Sequence, residues 1–416
     1  MKPAIDHEAL SGALHALGML DNASALSAVA GESRDEAEAI RAYIAHERPH
    51  LLSCYDMETL VGLDGAARRG RQLSRGARAV ALPLNRICIV GAGGIGGFLA
   101  ARLAHTGAHI TLVARGAHLA ALRREGLTLI ERDGTRLQHR LAAVECIGEA
   151  GAHDLVVLGM KAHQLEPVAD ELHSLLHADT VVLPMQNGIP WWYFQRHGGP
   201  HDARRLQAVD PHGAIAAAIP AERIVGCVVY PACELAAPGV IRHVEGERFP
   251  LGELDGSMST RVQAIAALFE AAGLKAPVLA DIRAEIWLKL WGNLCFNPIS
   301  ALTRAKLDRI CSESSTRALA AAMMREAQAV AGKLGIAFRV SLERRIEGAA
   351  RVGSHKTSML QDIEAGRATE LEALVGAVIE LARLTHTPVP HIEAVYACAR
   401  LLQSSVCSEF PAAKAA

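Results

Sequence analysis

Lys289, Asn293 and Asn297 stand four residues apart in a stretch that is otherwise apolar, with Trp287, Leu290, Trp291, Leu294 and Phe296 around them. On a helix this i, i+4, i+8 spacing lines one face. A lysine and two amides half-buried on such a face need partners. A small molecule carrying a carboxylate and a carbonyl would supply them. The other reading is the exposed polar stripe of an amphipathic helix, and spacing alone leaves the two about even.

A second stretch points to phosphate. The apolar run Ile87-Cys88-Ile89-Val90 leads into Gly91-Ala92-Gly93-Gly94-Ile95-Gly96-Gly97, then into the helical pattern Phe98–Ala104, closed by Gly107 and followed by the apolar run Ile110–Ala114. Strand, glycine turn, helix, strand is the context in which G-x-G-x-x-G is specific for a dinucleotide. Gly91 allows the sharp turn, Gly93 a close approach of pyrophosphate to the backbone, and Gly96 close packing of helix on sheet. The free N–H groups of Gly94, Ile95 and Gly96 at the positive end of the helix complete the phosphate site. A βαβ unit without ligand is the bland alternative.

Arg115 ends the second strand, where NAD-binding chains usually place an acid for the ribose hydroxyls. No acid lies between Asp64 and Glu125, and Arg123 and Arg124 follow in the next helix. A guanidinium can pair with a 2′-phosphate through two hydrogen bonds. NADP(H) is therefore expected over NAD(H), unless Arg115 is only a solvated surface residue. Two later apolar runs, Asp154–Gly159 and Thr180–Met185, deliver Lys161 and Asn187 to their carboxyl ends. In open α/β sheets ligands bind there, so both residues are placed for cofactor or substrate. Ordinary turn chemistry competes for Asn187-Gly188.

The elements that must position these groups follow from the rest of the chain. At 416 residues it is too long for one ordinary domain. Half of it is hydrophobic, enough for large cores. A formal charge of −1 gives no general pull towards nucleic acid or membrane. Nine scattered cysteines with no CxxC pair indicate a reducing compartment, hence the cytoplasm. The histidines form no metal-ligand spacing. No signal peptide or membrane span is read from the sequence.

Residues 1–65 read as a small helical module and 66–84 as a basic Gly/Arg linker, Arg68 to Arg78 interleaved with Gly65, Gly70 and Gly76. The module holds no group suited to cofactor chemistry and is expected to be dispensable for it. A core that small is marginal, so docking on the rest of the chain or on a second copy is expected, and a homo-oligomer is left open. Residues 85–279 read as a Rossmann-type domain: Thr128–Glu131 and Leu137–Val144 look like strands, and the runs within 222–254 are expected to extend the sheet. Residues 280–403 read as helices, Arg283–Thr303, Ser315–Leu334, Ser341–Arg351 and two more, with a frayed tail over 404–416. The fold class is α/β, a dinucleotide-binding domain followed by an all-helical one.

Asp281-Ile282-Arg283-Ala284-Glu285-Ile286-Trp287 through Lys289, Asn293 and Asn297-Pro298 resembles the ketopantoate reductase signature, and Ser358-Met359-Leu360-Gln361-Asp362 with Thr369-Glu370 resembles the second signature of that family. With the glycine fingerprint, Lys161 and Asn187-Gly188, the resemblance covers about residues 85–403. It implies a Rossmann-type domain joined to a helical domain of the 6-phosphogluconate-dehydrogenase type, and NADPH-dependent reduction of a 2-oxo acid, ketopantoate, in pantothenate biosynthesis. It further implies Lys289 as the catalytic lysine and Glu370 as its acidic partner. Asn293, Asn297 and Ser358 would bind substrate, Lys161 and Asn187 would sit between cofactor and substrate, and Arg115 would take the 2′-phosphate. The chemistry agrees: hydride reaches a carbonyl carbon, charge grows on its oxygen, and an ammonium aimed there stabilises it and can give a proton.

Two features depart from the family pattern. After Gly188 the chain runs Ile189-Pro190-Trp191-Trp192-Tyr193-Phe194, four large aromatics where smaller residues are expected, either reshaping the pocket or packing under a loop. The first 85 residues are the other. A relative reducing another 2-oxo acid, and an NADP(H)-binding regulator, are the alternatives; the second would need the nucleotide site but not Lys289, Glu370 and Ser358.

Overall fold

Alternation decides how the first strand is used. In β1 (Arg86–Val90), Ile87 and Ile89 face one core, Cys88 and Val90 the other, and all four are buried. A strand apolar on both faces belongs inside a parallel sheet covered by helices on both sides. The computed structural model, which describes residues 84–409, places β1 there. The helical module read at 1–65 and the linker, all but its last residue, lie outside the described residues.

The chain continues through α1 (Gly94–Leu103), β2 (His109–Val113), α2 (Gly116–Glu125), β3 (Leu127–Ile130), β4 (Arg136–His139), β5 (Ala142–Val144), β6 (Leu155–Leu158) and β7 (Val181–Pro184). A five-stranded sheet has the order β5-β2-β1-β6-β7, every pair parallel. The chain leaves β1 towards β2 and later returns to its other side as β6. That reversal opens the ligand crevice between the carboxyl ends of β1 and β6.

Residues 222–254 do not extend this sheet, contrary to the sequence reading. Of β8 (Val225–Cys227), β9 (Ala232–Ala237), β10 (Val240–Glu245) and β11 (Leu251–Glu253), β9 and β10 join a separate sheet of order β4-β3-β10-β9, while β8 and β11 pair antiparallel. An isolated parallel bridge between Val182 and Ile224 brings β8 beside β7 without continuing its ladder. The physical reason is burial: β9 is exposed along most of its length, so it cannot sit inside a two-sided parallel sheet. The run Leu137–Val144 likewise splits, β4 going to the second sheet and β5 to the first.

After α3 (Thr260–Ala271) come α4 (Ile282–Thr303), α5 (Leu307–Ser312), α6 (Ser314–Lys333), α7 (Leu342–Arg351), α8 (Ser358–Glu364), α9 (Ala377–Leu384) and α10 (Pro390–Glu409). The helix starts are capped as their sequences dictate. Asp281 accepts from the Ala284 N–H at 2.9 Å, and Thr357 from the Leu360 N–H at 3.2 Å. Helix α10 carries on past Ser404, where the sequence suggests a frayed tail.

One apolar core runs unbroken from the Cys88/Val90 face of the sheet into the helical region, and the aromatic run joins them. Trp191, Trp192, Tyr193 and Phe194 are buried in the cluster that holds Ile286, Trp287, Leu290 and Trp291 of α4. The Trp287 indole donates to the Tyr193 hydroxyl at 2.8 Å. Arg283, buried at the start of α4, donates to the carbonyls of Tyr193, Leu254 and Gln195 at 2.6, 2.5 and 2.8 Å. Polar groups at this depth must be satisfied in this way.

Candidate active site

The glycine turn has the geometry its sequence implies. Gly91 lies at φ +98°, and a Cβ there would meet the Met160 backbone nitrogen at 2.9 Å. A Cβ on Gly96 would stand 2.1 Å from the Gly91 carbonyl, and one on Gly94 2.5 Å from the Cys233 carbonyl of β9. Above Gly93 there is open space. Helix α1 begins there with no side-chain cap and no acid in its first turn, so the N–H groups around Ile95 face that space without competition. His118 of α2 pins the turn. Its Nε2 donates to the Ala92 carbonyl at 2.8 Å, and its Nδ1 accepts from the Gly239 N–H at 2.9 Å. Burial pushes its pKa below the usual histidine value, which keeps Nδ1 free to accept.

Arg115 follows β2 directly, is exposed, and makes no ion pair among the described residues. Arg123 instead donates to the Ala143 carbonyl at 3.1 Å, and Arg124 pairs with Glu125 at 2.6 Å. Of the three arginines, Arg115 is the one left for an anion.

Beyond β7, Asn187 is the meeting point of three elements. Its Oδ1 accepts from Lys289 Nζ at 2.5 Å, and its Nδ2 donates to Glu370 Oε2 at 3.1 Å. Lys289 therefore reaches Glu370 through an amide; there is no direct hydrogen bond between lysine and carboxylate. Lys289 also donates to the Val229 carbonyl, and Glu370 Oε1 accepts from the Ala162 N–H at 3.2 Å. Burial lowers the Lys289 pKa from its ordinary 10.5 to about 8, against the opposite pull of Glu370. Glu370 stands two residues before a π-helical turn, Glu372–Gly376, and its neighbour Thr369 is held by Gln403 of α10, whose Oε1 accepts from the Thr369 N–H at 3.0 Å.

Lys289 opens on a cleft lined by Gln186, Asn187, Trp192, Cys227, Ile286 and Asn293, among others. Asn293 has no hydrogen-bond partner among the described residues, whereas Asn297 is buried and donates to the Ser358 hydroxyl at 3.4 Å. Lys289, Asn187 and Asn293 thus share one cleft, and Glu370 stands behind it. Lys161 is turned elsewhere. It forms an ion pair with buried Asp362 of α8, which also takes Arg367 at 3.1 Å.

Sequence reasoning missed several groups around Lys289. The Tyr230 ring centroid lies 6.0 Å from Lys289 Nζ, and the Tyr230 hydroxyl donates to Glu285 at 2.8 Å. Arg248 donates to the same carboxylate at 2.5 Å. Glu285 stands four residues before Lys289, so the i, i+4 spacing extended backwards would have found it. Tyr230 and Arg248 come from loops and carry no such signal. Trp192 lines the cleft with its Nε1 buried and without a partner among the described residues, so the aromatic run does both things considered for it: most of it packs, and Trp192 borders the pocket. Gln186 Oε1, at the same cleft, is also buried without a partner among the described residues.

Two family models match the chain: Ketopantoate reductase PanE/ApbA over residues 87–256, and Ketopantoate reductase PanE/ApbA C terminal over 281–403. A Mesorhizobium japonicum protein named 2-dehydropantoate 2-reductase is 55% identical over 318 residues, 76% of this chain and 97% of that protein. A solved structure from Ralstonia solanacearum MolK2 that carries the ketopantoate reductase name is 43% identical, with a TM-score of 0.74 over 78% of this chain and 99% of that one. The ternary structure of D-mandelate dehydrogenase with NADH and anilino(oxo)acetate, 22% identical, shares the fold at a TM-score of 0.67, covering 77% and 99% of the two chains. No helix among the described residues is long and apolar enough to cross a membrane.

Proposed function

The chain belongs to the ketopantoate reductase family, and from that premise we propose that it reduces a 2-oxo acid to the 2-hydroxy acid with NADPH, ketopantoate to pantoate in pantothenate biosynthesis being the leading reaction. The observation that carries the reading is Lys289, held by Asn187 and the Val229 carbonyl at a cleft it shares with unpartnered Asn293.

The residues suit the cofactor. Open space over Gly93, an uncapped α1 and the unpaired Arg115 fit a pyrophosphate and a 2′-phosphate. The unpartnered Gln186 Oε1 fits a carboxamide donor. When bound, the nicotinamide would supply the hydride.

The chain's own groups do the rest. Lys289 directs its ammonium at the substrate carbonyl oxygen, stabilises the charge that grows there and donates the proton. Asn187 orients Lys289, and Glu370 orients Asn187. Asn293 offers its amide to the substrate, with Asn297 and Ser358 behind it as a linked pair. Lys161 serves by pairing with Asp362, which ties the loop after β6 to α8 beside the cofactor crevice.

A second reading has one observation in its favour. Trp192 gives the cleft a large apolar wall, which suits a 2-oxo acid with a bulkier side chain. NADPH oxidation against a panel of 2-oxo acids decides between them. Fastest turnover with ketopantoate supports the leading reaction, and fastest turnover with a bulkier acid supports the second. No oxidation with any of them overturns both.

A further inference from the structure

Glu285 and Lys289 stand at i and i+4 on α4, with the acid on the N-terminal side. In that order the two side chains share one face of a helix and pair favourably. Here they do not pair. Among the described residues Glu285 forms its ion pair with Arg248, and Lys289 forms none with a carboxylate.

Both members of the expected pair are occupied elsewhere. Glu285 Oε1 accepts from Arg248 Nη1 at 2.5 Å and from the Tyr230 hydroxyl at 2.8 Å. The Glu285 side chain is 5% exposed and that of Arg248 40%, so the arginine reaches inward to a carboxylate that is already buried. Lys289 gives its donors to the Asn187 side chain and the Val229 carbonyl. The segment Val229-Tyr230 serves both arrangements. Its first carbonyl takes the ammonium and its tyrosine hydroxyl takes Glu285, while the Tyr230 N–H donates to the Arg248 carbonyl at 3.1 Å. The Tyr230 ring centroid lies 5.1 Å from Arg248 Cζ and 6.0 Å from Lys289 Nζ.

A direct pair would harm the chemistry. A buried carboxylate on the ammonium would turn it from the substrate oxygen and make it a weaker acid. Glu370, the carboxylate whose charge does reach Lys289, is kept behind the Asn187 amide. Cys227, the other titratable group beside the ammonium, is a thiol that burial pushes far above its usual range, and burial does the same to the Tyr230 phenol.

We propose that Arg248 is a positioning residue that holds Glu285 away from Lys289 and so leaves the ammonium free for the substrate. The inference rests on the reductase reading and goes beyond it by naming the group that suppresses a competing ion pair. Arginine suits this task because it stays charged across the whole range in which a lysine titrates.

The test uses the full chain and the alkaline limb of kcat/KM for a good 2-oxo acid. Arg248→Met leaves Glu285 buried without its cation, and Lys289, one helical turn away, can replace it. The limb should then move up by about one pH unit, as expected for a lysine that gains an opposite charge. kcat should fall roughly tenfold or more, since a small displacement of a positioned group is worth that much. KM for NADPH should stay within a few-fold. Glu285→Gln keeps an acceptor for Arg248 and Tyr230 but has no charge to give Lys289. The double variant Arg248→Met/Glu285→Gln should therefore return kcat and limb to those of Glu285→Gln alone, a rescue that a merely structural role of Arg248 would not produce. Arg248→Gln, which also removes the cation, carries the test should Arg248→Met fail to fold. An unmoved limb, or a loss that persists in the double variant, overturns the role of Arg248 and leaves the reductase reading intact. A wild-type protein that turns over no 2-oxo acid overturns the reductase reading and this inference with it.

Discussion

Asn187 and Lys289 meet at 2.5 Å, although one follows the last strand of the parallel sheet and the other stands in the middle of α4. Neither residue alone positions the ammonium. Lys289→Ala should keep the fold and NADPH binding and lose about a hundredfold or more in turnover, the usual scale for a positioned acid. Asn187→Ala and Glu370→Ala should lose turnover in the same direction. The double variant Asn187→Ala/Glu370→Ala should fall well short of the sum of the two losses, because the amide relays the carboxylate. Turnover within a few-fold of wild type in Lys289→Ala would make the lysine structural.

The lysine sets a pH limit. With its pKa lowered to about 8, the ammonium is the main form at neutral pH and is lost above that value. kcat/KM for reduction should be level below about pH 8 and fall above it. Since Glu370 holds the value up, Glu370→Gln should move that limb to lower pH. Stability has its own sign. The folded value lies below the ordinary 10.5, so the unfolded chain binds the extra proton between about 8 and 10.5. The contribution of Lys289 to stability therefore improves as pH rises through that window. Denaturant titrations of wild type and Lys289→Met at pH 7 and 10 would expose the difference, and identical pH dependences would refute it.

Arg115 separates the two nicotinamide cofactors. Arg115→Ala should weaken NADPH binding by roughly ten- to a hundredfold, the range for a lost charge-assisted contact, and leave NADH nearly untouched. Fluorescence titration with both cofactors measures this, and equal losses would remove Arg115 from the phosphate site.

Gly188 is a narrower point of failure. It lies at φ +86°, and a Cβ there would stand 2.3 Å from the Ala373 carbonyl, a backbone atom with no freedom to yield. Gly188→Ala should cost about 1–3 kcal/mol for the backbone strain alone, and more for the clash. It should also lower turnover by displacing Asn187. Thermal unfolding and kcat measured together check this; an unchanged Tm would show that the loop has room to move.

What could be read from the sequence was local. The glycine turn announces itself because strand, turn and helix are contiguous, and Lys289, Asn293 and Asn297 because helical spacing is periodic. The Lys161–Asp362 pair and the amide bridge from Lys289 to Glu370 join residues far apart in the chain. No period in the sequence encodes such pairs. The second sheet was misread for a related reason: β10 pairs with β3 over a long separation, and alternation in a short strand does not name its neighbour.

The buried segment 189–194 belongs by chain order to the sheet and by packing to the helices. A hybrid of two relatives joined near residue 280, where the helical region begins, would inherit the segment from one parent and its socket around Trp287 and Trp291 from the other. Recombination of this architecture has its seam in the wrong place for function to survive by default. A chimera should fold well only when residues 189–194 travel with the helical half they serve.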